Sequence, residues 1–138
     1  PNTKPENKVF FIGQPLVSYG LIEYDKYNLL INNIKLYYQK KRFNFFYLSH
    51  RTEQKKHLPE NVDILSFEYP LEYEMIMSKS RPMVYATFYS SACFNLSLLF
   101  NSESEFHFWE LGKSFQSNVQ REIFHYLKIQ TNNCLIFF

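Results

Sequence analysis

A chain of 138 residues makes one ordinary domain, large enough to bury a core without disulfide staples and too short for a multi-domain machine. Aromatic residues make up 20% of it, with 15 Phe and 11 Tyr against 3 Gly, which excludes a disordered tail because so much ring surface collapses. Lys and Arg number 15 and Asp and Glu 13, a formal charge of +2, too small and too well mixed to predict nucleic-acid binding. Cys93 and Cys134 lie far apart with no CxxC spacing and no histidine ladder beside them, so two reduced thiols are expected and no zinc site. No stretch approaches the roughly 18 apolar residues of a membrane span, and no signal peptide opens the chain. It begins Pro1-Asn2-Thr3 rather than with Met, which suggests a processed product or a piece of something longer.

Residues 1–7 are polar and proline-punctuated and read as a linker before a domain over 8–138. Val9-Phe10-Phe11-Ile12, stopped by Gly13 and Pro15, predicts a strand buried on both faces. Asp25 is placed to cap the next segment, where Leu29, Leu30, Ile34, Leu36 and Tyr37 recur at near-helical spacing before Lys40-Lys41-Arg42, basic residues suited to a helix C-terminus. Phe43 to Leu48 predicts a second strand, ending at Ser49-His50-Arg51, and Val62 to Leu65 a third. Leu71 to Ser78 reads as a short helix, Pro82 to Phe88 as a strand, and Ala92 to Phe100 as a helix that Ser90 can cap. Phe106 to Leu111 alternates like a strand, Gly112 ends it, and Ser117 to Ile129 predicts an amphipathic helix. The closing run Leu135 to Phe138 is apolar and needs a partner surface, in the core or on another chain. Five strands separated by helices predict an α/β fold, a Rossmann-like, open and mostly parallel sheet with helices on both faces.

In such sheets ligands bind outside the carboxyl ends of the strands. Those ends carry Gly13-Gln14-Pro15, Ser49-His50-Arg51 and Tyr89-Ser90-Ser91. An imidazole beside a guanidinium suits an anionic leaving group: Arg51 stabilises charge and His50 can donate a proton. Ser90 and Ser91 offer hydroxyls and backbone N–H groups at a helix start. Together they form an inventory for gripping phosphate without a metal. Glu72, at the start of a helix near the same edge, can accept ribose hydroxyls or can simply complement the helix dipole. His57, His107 and His125 read as structural or solvated. The aromatic runs lack interleaved basic residues and read as core. There is no GxGxxG and no P-loop, which leaves dinucleotide and ATP folds without their usual signature, and no cofactor is expected.

The order Val9-Phe10-Phe11-Ile12-Gly13-Gln14-Pro15-Leu16, Tyr47-Leu48-Ser49-His50-Arg51-Thr52-Glu53, Tyr69-Pro70-Leu71-Glu72 and Phe88-Tyr89-Ser90-Ser91-Ala92 resembles the C-terminal half of bacterial lipooligosaccharide and capsule sialyltransferases, with polysialyltransferases as relatives. The resemblance covers about residues 8–111. It implies one domain of a two-domain GT-B type glycosyltransferase, in which this half holds the donor CMP-sialic acid and a separate N-terminal domain, absent from this sequence, holds the glycan acceptor, a lipooligosaccharide or capsular polysaccharide. The implied reaction is a metal-independent transfer with inversion, at a cytoplasmic location or peripherally at the inner face of the membrane. By resemblance, His50 matches the histidine that contacts the departing CMP phosphate and is placed to protonate it, Ser90 and Ser91 match a serine pair on that phosphate, and Glu72 matches a ribose-binding glutamate. Many relatives have proline where this chain has Arg51, which is read as a variant phosphate or structural contact. Gly13 is included among the donor-binding positions. The acidic pair followed by glycine that supplies the acceptor's base in related families does not occur here, and Asp25 is the in-chain candidate for the base, or a helix cap alone. Pairing of two copies of the chain is a further expectation. Two other readings stay open: a non-catalytic α/β interaction module, and a glycosyltransferase domain that uses another nucleotide sugar.

Overall fold

The run at Val9 becomes the middle of a parallel sheet. In the computed structural model, which describes residues 5–88, 91–100, 103–111 and 134–137, the strands are β1 (Glu6–Ile12), β2 (Asn44–Leu48), β3 (Asp63–Leu65), β4 (Pro82–Thr87), β5 (Glu105–Trp109) and β6 (Cys134–Phe137). Helix α1 (Tyr24–Lys40) follows β1, α2 (Leu71–Met77) follows β3, and α3 (Ser91–Phe100) follows β4. The six strands lie in the order β3-β2-β1-β4-β5-β6, and every pairing is parallel. This is the strand order of a Rossmann-like sheet, and it reverses direction between β1 and β4.

Register explains the unbroken apolar run. Phe11 stands beside Tyr47 of β2 and Ala86 of β4, while Phe10 stands beside Phe46 and Tyr85. Successive side chains point to opposite faces, so a strand with helices above and below must be apolar at every position. One face buries Val9, Phe11, Phe45, Tyr47, Val84 and Ala86 under Tyr27, Ile31, Ile34 and Tyr38 of α1. The other buries Phe10, Ile12, Leu48, Tyr85, Phe106 and Phe108 under Met75 of α2 and Cys93, Leu96 and Phe100 of α3. Rings fill both layers in edge-on and stacked pairs, among them Phe11–Phe88 and Tyr85–Phe106, each at 5.2 Å between centroids, geometries that the ring quadrupole favours. The Tyr85 hydroxyl, buried in the second layer, has no hydrogen-bond partner among the described residues.

Several expectations are corrected. The strand starts at Glu6, so Glu6 and Asn7 belong to the sheet rather than to a linker ending at residue 7: Glu6 N–H donates to the Arg81 carbonyl at 2.7 Å, a backbone pairing that composition does not reveal. Asp25 does not cap α1. Glu23 occupies the cap position without a side-chain bond, and Asp25 sits in the first turn. The buried stripe of α1 is Tyr27, Ile31, Ile34 and Tyr38, whereas Leu29 and Leu36 are 62% and 49% exposed. The hydroxyls of Tyr27 and Tyr38 make those residues look amphipathic in the sequence, yet each finds a partner inside. β5 is buried at three successive positions rather than alternating, because Phe106 and Phe108 pack in the layer under α3 while His107 lies on the other face against Tyr38 of α1. The sixth strand accounts for the closing apolar run, whose backbone pairs within the same sheet. The predicted helix over 117–129 lies outside the described residues.

Helix α1 stops in a way that fixes where β2 begins. Phe43 N–H donates to the Tyr38 carbonyl and Arg42 N–H to that of Gln39, at 3.1 and 2.9 Å, with Arg42 at φ 66 and the Phe43 and Tyr38 rings edge to face. This is a Schellman ending with arginine where glycine is usual. β2 then carries Tyr47 and Leu48 to the carboxyl edge.

The two candidate faces of α1 are separable by mutation. Ile31→Ala is expected to cost about 2–5 kcal/mol, the range for truncating a buried aliphatic side chain. Leu29→Ala is expected to stay within about 0.5 kcal/mol, as exposed substitutions do. Urea denaturation of each variant measures both.

Candidate functional site

A cleft of about 550 Å³ opens at the carboxyl ends of β1, β2 and β3, within the size range of small-molecule sites. Its floor includes Ile12, Gly13, Leu48, Leu65 and Ala92, one wall carries His50, Arg51, Glu53 and Lys55, and the other carries Ser66, Phe67, Tyr69, Leu71 and Glu72. Four predicted positions, Gly13, His50, Arg51 and Glu72, therefore share one cavity. Ser91 opens α3, next to the floor residue Ala92. Tyr89 and Ser90 lie outside the described residues. Asp25 is exposed in α1 and does not line the cleft, so it is not brought together with His50.

The wall that carries His50 is a loop, and loops at strand ends need substitutes for the ladder they leave. Glu53 supplies them. Its Oε1 accepts the His50 N–H at 2.8 Å and its Oε2 accepts the Tyr47 hydroxyl at 2.7 Å, while Glu53 N–H donates back to the His50 carbonyl at 2.9 Å. With Glu53 ionised the one proton of Tyr47 goes to it, and Tyr27, whose hydroxyl also lies 3.4 Å from the Gln14 carbonyl, is then the donor in the 2.6 Å contact between the two tyrosine hydroxyls. A directed chain thus runs from the α1 core through β2 to the loop. Farther along, Ser18 Oγ meets His57 Nδ1 at 3.0 Å and accepts Gln54 N–H at 3.3 Å, Tyr24 donates to the Leu58 carbonyl at 3.0 Å, and Asn28 accepts Glu60 N–H at 2.8 Å. His57 is thereby structural, as expected, and so is His107, which is buried between Tyr38 and Glu105. His125 lies outside the described residues.

Gly13 has a specific reason to be glycine. A Cβ there would lie 2.6 Å from Glu53 Oε1 and against the Tyr47 ring and hydroxyl. The position is the close approach that lets the Tyr47–Glu53 pair sit beside β1.

Electrostatics define the state of the wall. The Thr52 backbone N–H and hydroxyl both reach His50 Nδ1, at 3.2 and 2.8 Å. A backbone N–H can only donate, so Nδ1 is an acceptor and the ring proton is on Nε2. Partial burial, then the Arg51 guanidinium, lowers the His50 pKa, in keeping with a neutral ring. Burial raises the Glu53 carboxyl to about 7, against the opposing pull of the His50 N–H and Tyr47 hydroxyl. Arg51 and Lys55 are the cations on this wall, and Glu72, in the first turn of α2, lines the same cleft. Glu74 is turned away, accepting the Tyr69 N–H at 3.3 Å.

Glu53, Thr52 and Lys55 are site residues that sequence reasoning did not single out. For Glu53 a signal existed: a carboxylate three residues after His50 has the spacing of a side chain that reaches back to a backbone N–H. Among the described residues no group of three or more metal-ligating side chains converges, and no helix is long and apolar enough to cross a membrane.

The raised Glu53 carboxyl has a signed consequence. Between its ordinary value of 4.5 and about 7 the folded chain holds a proton that the unfolded chain has released, so Glu53 makes stability fall as pH rises through that window. Glu53→Gln is expected to gain stability relative to wild type at pH ~8 and not at pH ~5, measured by chemical denaturation at both. Gly13→Ala is expected to lower stability by about 1–3 kcal/mol, the range for overpacking, measured in the same way. No family model, no curated protein and no solved structure matches the chain, so its function must be argued from the cleft itself.

Proposed function

We propose that this domain binds the nucleotide donor of a glycosyl transfer, CMP-sialic acid, as the donor half of a GT-B type sialyltransferase acting from the cytoplasmic side. The observation that carries the reading is the convergence of Gly13, His50, Arg51 and Glu72 on one cleft at the carboxyl edge of a Rossmann-like sheet, the edge where such folds take nucleotides. Each group has a role that its chemistry supports. His50 offers Nε2–H to a phosphate oxygen, and Arg51, joined by Lys55, supplies fixed positive charge. Glu72, across the cleft, suits the paired hydroxyls of a ribose. Phe67 and Tyr69 give the same wall an aromatic surface for the base.

Transfer from such a donor breaks the bond between the anomeric carbon and the phosphate oxygen, and negative charge gathers on the departing CMP. Donors already aimed at that oxygen lower the barrier without reorganising. A neutral His50 acts first as a hydrogen-bond donor. It becomes a proton donor only if bound phosphate draws a second proton onto Nδ1, in competition with Thr52. The acceptor's base and the acceptor glycan belong to the other half of such an enzyme.

Titrating CMP into the ¹⁵N-labelled chain tests the reading. Shifts are expected at Gly13, His50, Arg51 and Glu72 in the millimolar range, with UDP binding more weakly, and His50→Ala together with Arg51→Ala should abolish them. An unperturbed cleft at millimolar CMP overturns the proposal, and stronger binding of UDP moves it to another nucleotide sugar.

A further inference from the structure

We infer that Glu53 is the positioning residue of the cleft: its carboxylate, held by Tyr47 in the space that Gly13 leaves open, fixes the His50–Arg51 backbone so that the imidazole presents Nε2–H to the ligand. What that imidazole grips rests on the nucleotide reading above. That Glu53 sets its geometry does not.

Each end of the carboxylate has a separate anchor. Oε1 takes the His50 N–H at 2.8 Å, at the residue where the chain leaves β2. Oε2 takes the Tyr47 hydroxyl at 2.7 Å, and Tyr47 is fully buried and stacked on Phe11. Tyr27 braces Tyr47 from α1. The loop therefore inherits its position from the rigid core rather than from its own residues. With the His50 backbone fixed, Thr52 lies close enough for both its N–H and its hydroxyl to reach Nδ1, which selects the tautomer. A residue that acted only as a strut would have no bearing on which ring nitrogen carries the proton.

Among the described residues, the charged and titratable groups set against Glu53 come from β2, α1 and its own loop. They are the Tyr47 and Tyr27 hydroxyls, both kept neutral by burial, His50 and Arg51 on its own loop, and Lys55 on the same wall. Gly13, just past β1, lies beside it. Glu53 is the carboxylate bonded to the His50 N–H, so a titration of that amide proton that the His50 ring signals do not share is assigned to Glu53.

The test is ¹⁵N NMR of the full, ligand-free chain. Wild type is expected to show the neutral Nε2–H pattern at His50 and a His50 amide proton that titrates with Glu53. Glu53→Ala, with native far-UV dichroism, should give a mixed-tautomer imidazole and should remove the part of the amide titration that comes from Glu53. Glu53→Gln, whose amide oxygen still accepts the His50 N–H, should retain the tautomer and lose only the titration. A folded Glu53→Ala with wild-type tautomer and wild-type amide titration overturns the inference. If Glu53→Ala does not fold, Tyr47→Phe takes its place, since it removes the anchor of Oε2, keeps the Oε1 bond to His50 and leaves Tyr27 the Gln14 carbonyl: the same signals should move in the same direction by less, and unchanged signals overturn the inference. A parallel CMP titration separates the two proposals. Glu53→Ala should weaken CMP binding about tenfold and Glu53→Gln much less, in line with the loss of a charge-assisted hydrogen bond. A wild-type chain that binds no CMP ends the nucleotide reading while the tautomer measurement still decides the role of Glu53.

Discussion

A carboxylate that folding withdraws from water must have its oxygens filled by donors, and the local geometry around the cleft is organised by that requirement at Glu53. Filling Oε2 brings in the Tyr47 hydroxyl, which orders the Tyr27 hydroxyl behind it. Filling Oε1 brings in the His50 N–H, and with it the first turn of the loop beyond β2. The approach works only because residue 13 has no side chain. One buried acid thus joins three elements that are separate in sequence: the end of β1, the first helix and the His50 loop.

The sheet makes this junction a natural place for a ligand. With strands in the order β3-β2-β1-β4-β5-β6, connections leave the carboxyl ends of β1 and β4 in opposite directions, so the edge above them cannot be closed by the chain itself. Apolar burial on both faces holds the strand ends still, and the polar residues that follow them are free to face solvent. Rigid strands beneath a short, internally bonded loop are the arrangement in which a few hydrogen-bond donors can be aimed at one point.

The electrostatic character of that point follows from the same contacts. Thr52 occupies the lone pair of His50 Nδ1, and partial burial, with Arg51 beside the ring, disfavours a positive charge there. The result is a neutral donor next to a permanent cation, suited to a ligand that carries its own negative charge. Glu53, near the midpoint of its titration at neutral pH, contributes less negative charge to the wall than a solvated carboxylate would. Arg51 and Lys55 are correspondingly less offset at the place where an anion would sit.

How much of this was written in the sequence depends on the range of the interaction. Five of the six strands were legible because a strand covered on both faces is apolar, as Val9 to Ile12 is, and the helices among the described residues followed from the spacers between such runs; the sixth read only as an apolar run in need of a partner surface, since its pairing with β5 comes from the fold. The positions Gly13, His50, Arg51 and Glu72 were legible as strand-end and helix-start residues, since the edge they occupy follows from a parallel sheet. The buried stripe of α1 was not, because Tyr27 and Tyr38 carry hydroxyls whose partners, Tyr47 and His107, come from distant parts of the chain. The membership of Glu6 and Asn7 in β1 was hidden for a similar reason, their strand character coming from a neighbouring backbone. The sequence by itself determined the alternation of strands and helices and the edge at which polar residues gather, since both follow from local periodicity and chain direction. Only the tertiary structure decided that Glu53 stands behind His50 and that Asp25, the candidate base, does not line the cleft, because desolvation and hydrogen-bond direction depend on which atoms the fold brings together.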